Sequence, residues 1–450
     1  MLNRTKNILA LTGFCISFFL VIADVTAINV ALPNIQHVLH TTISGLQWVV
    51  AGYTLTFACF LLLNGHLADL LGAKRVLLVG LLLFIFTSLA CALASSIGFL
   101  IFFRLLQGIA AATLIPCSLS LINAAYSDPK VRAQKIGIWA SVGGLAAIVG
   151  PILGGFLTGF LSWRAVFFVN IPFGLLAILL IYRCSDENEV RTQLHFDVLG
   201  LLLSIISVAS LSLALIEAGS LGWASPLVLM SIIVFLISSF LFVLVEKNVK
   251  QPMLPLNFFK INRFAIAVSI GMVLNFGVYG ELFVLPLYFQ HIRGYGIVET
   301  GFALLPLVGL IALSSYLSGR LVSSRGVKLP LLVGLSVGAL GFFGLLIAQA
   351  KSLSYFWLIF PLAAMGFGIS FCQPAATIAA IHALPKERAG LAAAIFTTSR
   401  QVGSLLGVAL FGSIIATTTY FILGFHITLI ISGISYLGAL LLALTLSSET

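Results

Sequence analysis

An all-α integral membrane fold, with fourteen transmembrane helices arranged as two six-helix bundles and a two-helix insert, follows from three observations. The first is composition: 60% of the 450 residues are hydrophobic and only 8% are charged, with a mean hydropathy of +1.17, whereas a soluble chain is about 45–50% apolar. Thirteen acids and twenty-three bases cannot coat a soluble protein of this length, so lipid must cover it. The second is a count of fourteen apolar runs of about 20 residues, the length that crosses ~30 Å of hydrocarbon as a helix. The third is an internal repeat. Gly65, Leu67, Gly72 and Lys74 recur in the same spacing as Gly319, Leu321, Gly326 and Lys328, and PKVRA at Pro129 to Ala133 recurs as PKERA at Pro385 to Ala389. A membrane chain built of two similar halves is the signature of a secondary transporter whose halves rock about a shared cavity.

The runs follow one another with short polar connections. The first, near 8 to 32, comes after MLNRTKN, which resembles the charged start of a signal peptide; the run is longer than a secretory apolar region and carries Asp24, so a retained first helix is expected. Runs near 45 to 65 and 74 to 94 flank the repeated basic stretch, and the next, near 98 to 125, contains Arg104. Runs near 135 to 160 and 165 to 183 complete the first six. The most polar stretch of the chain, Arg183 to Asp197, holds Asp186, Glu187, Glu189 and Arg191, and a second lies from Glu246 to Arg263. They bracket two runs, near 197 to 217 and 224 to 245, that belong to neither repeat and are read as an insert. The last six lie near 264 to 289, 298 to 318, 329 to 349, 354 to 380, 390 to 417 and 420 to 446, and carry Glu281 and Arg400. The domain division expected is therefore 1–183 for the first bundle, 184–263 for the insert with its flanking loops, and 264–450 for the second bundle.

Charge gives the orientation. The net charge of +10 might suggest nucleic acid, but the bases are spread singly through short loops. With both termini in the cytoplasm, all of the twenty-three Lys and Arg fall on the cytoplasmic side except Arg164, Arg293 and Lys351 outside and Arg104 and Arg400 within spans. That is the positive-inside pattern, and a miscount by one span would destroy it. The six cysteines show no C-x-x-C or paired-loop spacing and are expected to be reduced packing residues.

Ionisable residues inside spans are the candidate site. A carboxylate there costs about 2.5–3.5 kcal/mol on insertion scales and is kept mainly where it works. Asp24 is read as a proton-binding group, with a helix-kink stabiliser bonded to Thr26 or Asn29 as the structural alternative. Glu281 shares the argument, against the alternative of a residue near the external end facing water. Arg104, a permanent charge deep in its run, has as its structural reading a clamp on backbone carbonyls or on an acid of the first helix. Arg400 could pair with Glu281, bind an anionic group of a substrate, or serve structure alone. Glu217, at a span end in the insert, is expected to be a solvated charge. Trp48, Tyr53, Gln107, Asn275, Tyr279, Gln373 and Arg400 would supply polar handles in an otherwise apolar substrate cavity.

Several stretches resemble one family. ADVTAINVALP at Ala23 to Pro33, LQWVVAGY at Leu46 to Tyr53, GHLADLLGAKR at Gly65 to Arg75, RLLQGIAAA at Arg104 to Ala112 and GPILGG at Gly150 to Gly155 are similar to motifs of the major facilitator superfamily, specifically its fourteen-span drug/proton antiporters. WRAVFFVNIPFG, LPLYFQHIRGYG and SRQVGSLLGVAL extend the resemblance into both halves. It implies the major facilitator fold, a gate at Gly65, Asp69, Gly72, Lys74 and Arg75 that holds the cytoplasmic side closed, a role in proton transfer for Arg104, and antiport for the glycine motif of Gly150, Pro151, Gly154 and Gly155. Two positions depart from the loop motif, Leu70 and Ala73 standing where basic residues are usual.

No G-x-x-x-x-G-K-[ST] occurs, so the phosphate cradle of ATP-driven transport is missing and a gradient must supply the energy; no H-E-x-x-H occurs either. The function expected is a proton-coupled, alternating-access exporter of small amphipathic or cationic compounds, of the multidrug-efflux kind. A dedicated metabolite or siderophore exporter, a facilitator or importer, and a non-transporting receptor or lipid scramblase on the same scaffold are the alternatives. Its partners would be a small-molecule substrate, protons and the bilayer, with no enzyme activity, metal, cofactor or nucleic acid. A monomer in the bacterial inner membrane is expected.

Overall fold

The computed structural model describes residues 2–184, 197–249, 252–348, 354–385 and 388–446, and within them the side chains of all but 2–5, 62, 66, 69 and 129. The acidic stretch from Asp186 to Arg191 and the Lys386–Glu387 pair of the repeated PKERA lie outside the described residues. Among the described residues there is no strand, and fourteen stretches are long and apolar enough to cross a membrane. The protein is a multi-pass membrane protein.

The first half consists of α1 (Leu2–Leu39), α2 (Ile43–Leu71), α3 (Ala73–Ala92), α4 (Ile97–Ala125), α5 (Pro129–Phe160) and a sixth span made of α6 (Ala165–Phe168) and α7 (Asn170–Cys184). The insert is α8 (Val198–Leu221) and α9 (Pro226–Asn248). The second half opens with α10 (Asn262–Leu287), which runs on into a π turn at Tyr288–Ile292. Next comes a span of three pieces, α11 (Ile297–Ala303), α12 (Leu305–Gly309) and α13 (Ile311–Arg325), followed by α14 (Lys328–Ala348), α15 (Phe356–His382), α16 (Ala389–Thr417) and α17 (Phe421–Leu444). Side-chain caps fix several starts: Thr42 accepts from the Gly45 amide, Ser96 from Phe99, Asp128 from Lys130 and Asp197 from Gly200. Each cap is worth about 1 kcal/mol, because the first N–H groups of a helix otherwise lack a partner.

Two runs that read as single spans in the sequence are broken. Pro172, in the first turn of α7, has no N–H to give the carbonyl four residues back, so the helix stops after Phe168 and restarts at Asn170. Pro306 does the same at the start of α12. Proline fits a first helical turn, where its missing donor costs little.

One compact unit comprises Met1–Phe196 together with Gly296–Phe302. In it α1 packs against α5, α7 and α4, α2 against α4, and α3 against α4 and α7. Phe14, Phe57, Leu77, Phe84 and Leu114 are buried at its core, and Phe18 stacks on Trp139 with ring centroids 4.0 Å apart. The other unit comprises Asp197–Tyr295 and Ala303–Thr450, so the insert clusters with the second half. There α10 packs on α16, α15 and α17, and α14 on α15 and α17. The insert is attached through α8, whose Gly219 meets the backbone of Ser413 on α16. α9 packs chiefly on α8 and presents apolar side chains such as Met230, Ile233 and Phe240 on its exposed faces, as a lipid-facing helix does.

Candidate functional site

Arg104 and Asp24 form an ion pair wholly buried in the first unit. Nη1 of Arg104, on α4, lies 2.5 Å from Oδ2 of Asp24, on α1. The same guanidinium donates through Nη1 to Oε1 of Gln107 at 2.7 Å and through Nε to the carbonyl of Val49 on α2 at 3.0 Å. Its Cζ lies 4.3 Å from the centre of the Tyr53 ring, a cation–π contact that stabilises a charge removed from water. The other carboxylate oxygen of Asp24 accepts from Asn170 Nδ2 at 3.0 Å and from Gln107 Nε2 at 3.4 Å. Ser88, on α3, accepts from both amides, at 2.8 Å from Gln107 and 3.3 Å from Asn170. Five helices thus contribute one polar group or more to a single carboxylate–guanidinium pair.

The chain folds this way locally for identifiable reasons. A Cβ at Gly154 would collide with the backbone of Ala27, and one at Gly150 with Thr26. Their lack of side chains lets α5 lie directly on the turn of α1 that follows Asp24. Gly155 faces Ile297 and Gly301 of α11 within the same unit, a close contact of small residues of the kind that membrane helices use in place of a hydrophobic drive. The break before Pro172 places Asn170 at the start of α7, 2% exposed and pointing at Asp24.

All groups facing the oxygens of Asp24 are donors. A proton added to either oxygen would displace one of these donors and remove the negative charge that faces Arg104. The hydroxyl of Thr26 turns back to the carbonyls of Ile22 and Ala23, and Asn29 donates to Val25, so neither holds Asp24 as a kink stabiliser. Arg104 takes both structural roles open to it, clamping a carbonyl and an acid of the first helix. Tyr53 and Gln107, expected as cavity-lining handles, are instead 1% and 0% exposed and belong to this cluster. The amide of Gln107 is spent on the buried pair, whereas Tyr53 contributes its ring face and its hydroxyl makes no hydrogen bond.

The repeated loop is built alike in both halves. Gly72 and Gly326 end α2 and α13 with φ of 91° and 74°, a conformation that residues with a Cβ avoid. Lys74 donates to the Tyr182 carbonyl at 3.3 Å, in the last turn of α7, and Lys328 donates to Leu444 at 2.8 Å, at the end of α17. A cation at a helix C-terminus is favoured by about 0.3–1 kcal/mol. Arg75 is exposed. Gly65, expected to matter in the same motif, has open space where a Cβ would go, so no close approach requires a glycine there. The side chain of Asp69 lies outside the described residues.

In the second unit Arg400, on α16, meets only neutral acceptors among the described residues. Nε lies 3.4 Å from Oδ1 of Asn275 on α10, and with its amide oxygen turned inward Gln373, on α15, accepts from Nε at 2.9 Å, Nη1 at 2.6 Å and Nη2. Asn275 donates in turn to Ser404 at 3.0 Å. The pairing of Arg400 with Glu281 considered from the sequence does not occur. Glu281 lies about 200° around α10 from Tyr279, facing Thr428 and Ser432 of α17. It is 0% exposed, not a residue facing water at a span end, and neither carboxyl oxygen makes a well-formed hydrogen bond. Glu217, at the end of α8, accepts from Ser220 at 2.9 Å.

The sequence pattern of the Major Facilitator Superfamily matches residues 14–408. The chain belongs to this superfamily. Among its relatives, the Multidrug resistance protein Stp of Mycobacterium tuberculosis is 36% identical over 415 residues, which cover 92% of this chain and 77% of the relative. The Methylenomycin A resistance protein of Bacillus subtilis is 33% identical over 448 residues, 99% of this chain and 96% of that one. A solved POT family transporter superposes with a TM-score of 0.73 at 12% identity, covering 95% of this chain and 94% of that one; at that identity the likeness concerns the fold alone.

For this major facilitator protein the sequence missed two members of the buried cluster, Asn170 and Ser88. Asn170 was visible as a polar residue inside an apolar run, two residues before a proline. Ser88 carries no sequence signal, since a serine inside a membrane helix ordinarily bonds its own backbone, as Ser17 does.

Proposed function

We propose that this protein is a proton-coupled exporter of small amphipathic compounds, cationic ones among them, working by alternating access as an antiporter. The carrying observation is the Asp24–Arg104 pair, sealed between α1 and α4 with only donors around the carboxylate. Such a group has two arrangements. Ionised, it holds Arg104 by charge and ties α1 to α4; protonated, it loses that charge and holds the guanidinium less tightly, loosening the same helices. A group whose protonation changes helix packing is what coupling of a proton to a conformational cycle requires. The names of the relatives, which are resistance proteins, support export as the direction.

Asp24 and Arg104 carry the proton in this reading, Glu281 being an auxiliary proton site. The support for Glu281 is a carboxyl group buried away from any cation, with two hydroxyls before it. Gly65, Asp69, Gly72, Lys74 and Arg75 form the cytoplasmic gate, and Gly150, Pro151, Gly154 and Gly155 the antiport element. Trp48 in the first unit and Asn275, Tyr279, Gln373 and Arg400 in the second meet substrate. The chain divides into bundles at 1–183 and 264–450 with a peripheral insert at 184–263. It acts as a monomer in the bacterial inner membrane, both termini in the cytoplasm.

The test is transport by purified protein in proteoliposomes carrying an imposed pH gradient. Accumulation of a fluorescent amphipathic compound against its gradient, collapsing with a protonophore, is expected. Accumulation that ignores the protonophore, or mere equilibration, would replace the antiporter by a facilitator.

A further inference from the structure

The two arginines buried in mid-helix are treated differently. Arg104 is neutralised by Asp24. Arg400 stands eleven residues into α16, about 16 Å along the helix axis from its start, and no carboxylate among the described residues lies within ion-pair distance of it. Its partners, Gln373 and Asn275, are amides. They fix the direction of the guanidinium and leave its charge uncompensated. The one carboxylate of the neighbouring α10, Glu281, is turned away toward α17. A guanidinium is charged at every attainable pH, and a charge removed from bulk water is costly until an opposite charge meets it.

The surroundings are shaped for one. Arg400, Gln373 and Tyr279 are partly accessible while Asn275 behind them is 1% exposed, so the guanidinium is braced from the back and open at the front. Tyr279 lies one turn from Asn275 on α10, within electrostatic range of Arg400, and offers a hydroxyl. Phe396, one turn before Arg400 on α16, places its ring 6.0 Å from the guanidinium carbon. Phe396 is itself buried and closes the site from behind, and a planar fork of donors beside the hydroxyl and ring of Tyr279 suits a carboxylate or other oxyanion joined to an apolar body.

We propose that Arg400, braced by Gln373 and Asn275, is an anion-recognition site, and that the compounds this protein exports include amphipathic acids held through their acidic group. This rests on the export reading and narrows its substrate class. The acidic group pairs with Arg400 in two parallel hydrogen bonds while the apolar body lies against the partly accessible ring of Tyr279. A neutral amide of the same shape leaves the guanidinium without its counter-charge.

The test is binding of matched acid and amide pairs, 2-naphthoate with 2-naphthamide and indole-3-acetate with its amide, to the purified full chain by equilibrium dialysis. The wild type is expected to prefer the acids by about tenfold or more, Arg400→Gln to lose the preference, and Arg400→Lys to keep a small part of it, having the charge without the fork. If Arg400→Gln does not fold, the Lys variant and Gln373→Leu carry the comparison. Equal binding of acid and amide by the wild type across both pairs, or a preference unchanged in the Arg400 variants, overturns the proposal. Repeating the dialysis in vesicles of phosphatidylcholine with and without phosphatidylglycerol separates the sources of the anion. Acid preference abolished by phosphatidylglycerol assigns the site to a lipid headgroup and refutes the substrate role. Because binding is measured without a gradient, a wild type that prefers acids but exports nothing refutes the export reading and leaves the anion site standing. One that exports but shows no acid preference does the reverse.

Discussion

Nδ2 of Asn170 donates to Oδ1 of Asp24 at 3.0 Å across 146 residues of chain. It reaches there because Pro172 interrupts the sixth span and starts a new helix at Asn170. Removing the amide leaves that oxygen with only the long contact to Gln107. Asn170→Leu is expected to weaken gradient-driven export and to destabilise the protein by about 1–3 kcal/mol, the cost of a buried acceptor losing a donor. Initial export rates and thermal unfolding in detergent would measure both, and an export rate equal to wild type removes Asn170 from the site.

Replacing Asp24 by Asn is expected to abolish accumulation against a gradient. The variant should still insert, but it buries Arg104 without a counter-charge, at a cost of about 3–5 kcal/mol. The double variant Asp24→Asn, Arg104→Gln should recover part of that stability and none of the transport, since no unpaired charge remains. Unfolding temperatures of the two single variants and the double variant form a cycle. A double variant no more stable than Asp24→Asn would show that the pair is not coupled as described.

Gly154 and Gly65 belong to neighbouring motifs yet should respond oppositely to alanine. A Cβ at Gly154 would strike the Ala27 backbone, which cannot rotate away, whereas at Gly65 it would meet nothing within 4 Å. Gly154→Ala is expected to cost about 1–3 kcal/mol and to reduce transport by moving α5 off α1. Gly65→Ala should leave unfolding near wild type. Equal damage from both would mean that neither packing account holds.

Glu281→Gln replaces a buried acid that has no cation beside it by a neutral group of the same shape. No ion pair is lost, so unfolding should change by less than about 1 kcal/mol or move toward greater stability. Its effect should appear in coupling: fewer protons exchanged per substrate in proteoliposomes, and loss of any activity that remains in Asp24→Asn. Unchanged stoichiometry together with unchanged residual activity would confine Glu281 to packing.

Most of the architecture was legible because lipid imposes simple rules. The apolar length of each span and the repeat of Gly72 and Lys74 at Gly326 and Lys328 both follow from a one-dimensional pattern. The structure gives the repeated residues the same work, positive φ for both glycines and a helix C-terminus for both lysines. The breaks at Pro172 and Pro306 were less legible. A proline inside an apolar run is compatible with either a kink or a restart, and only the neighbouring helices decide which.

By itself the sequence determined that a charge sits in the membrane at residues 24, 104, 281 and 400, since hydropathy and position along a span suffice to say so. The tertiary structure alone decided which charges meet. Arg104 finds Asp24 and Arg400 finds no acid among the described residues, while Glu281 turns toward α17 and leaves Arg400 to two amides. It also moved Tyr53 and Gln107 from an expected cavity into the shell of the ion pair. The physical reason is the short range of these interactions. A hydrogen bond or an ion pair depends on the rotation of each helix about its axis and on contacts a few ångströms long. Those are fixed by where glycines such as Gly154 let backbones touch, not by the apolar pattern that places the helices in the bilayer.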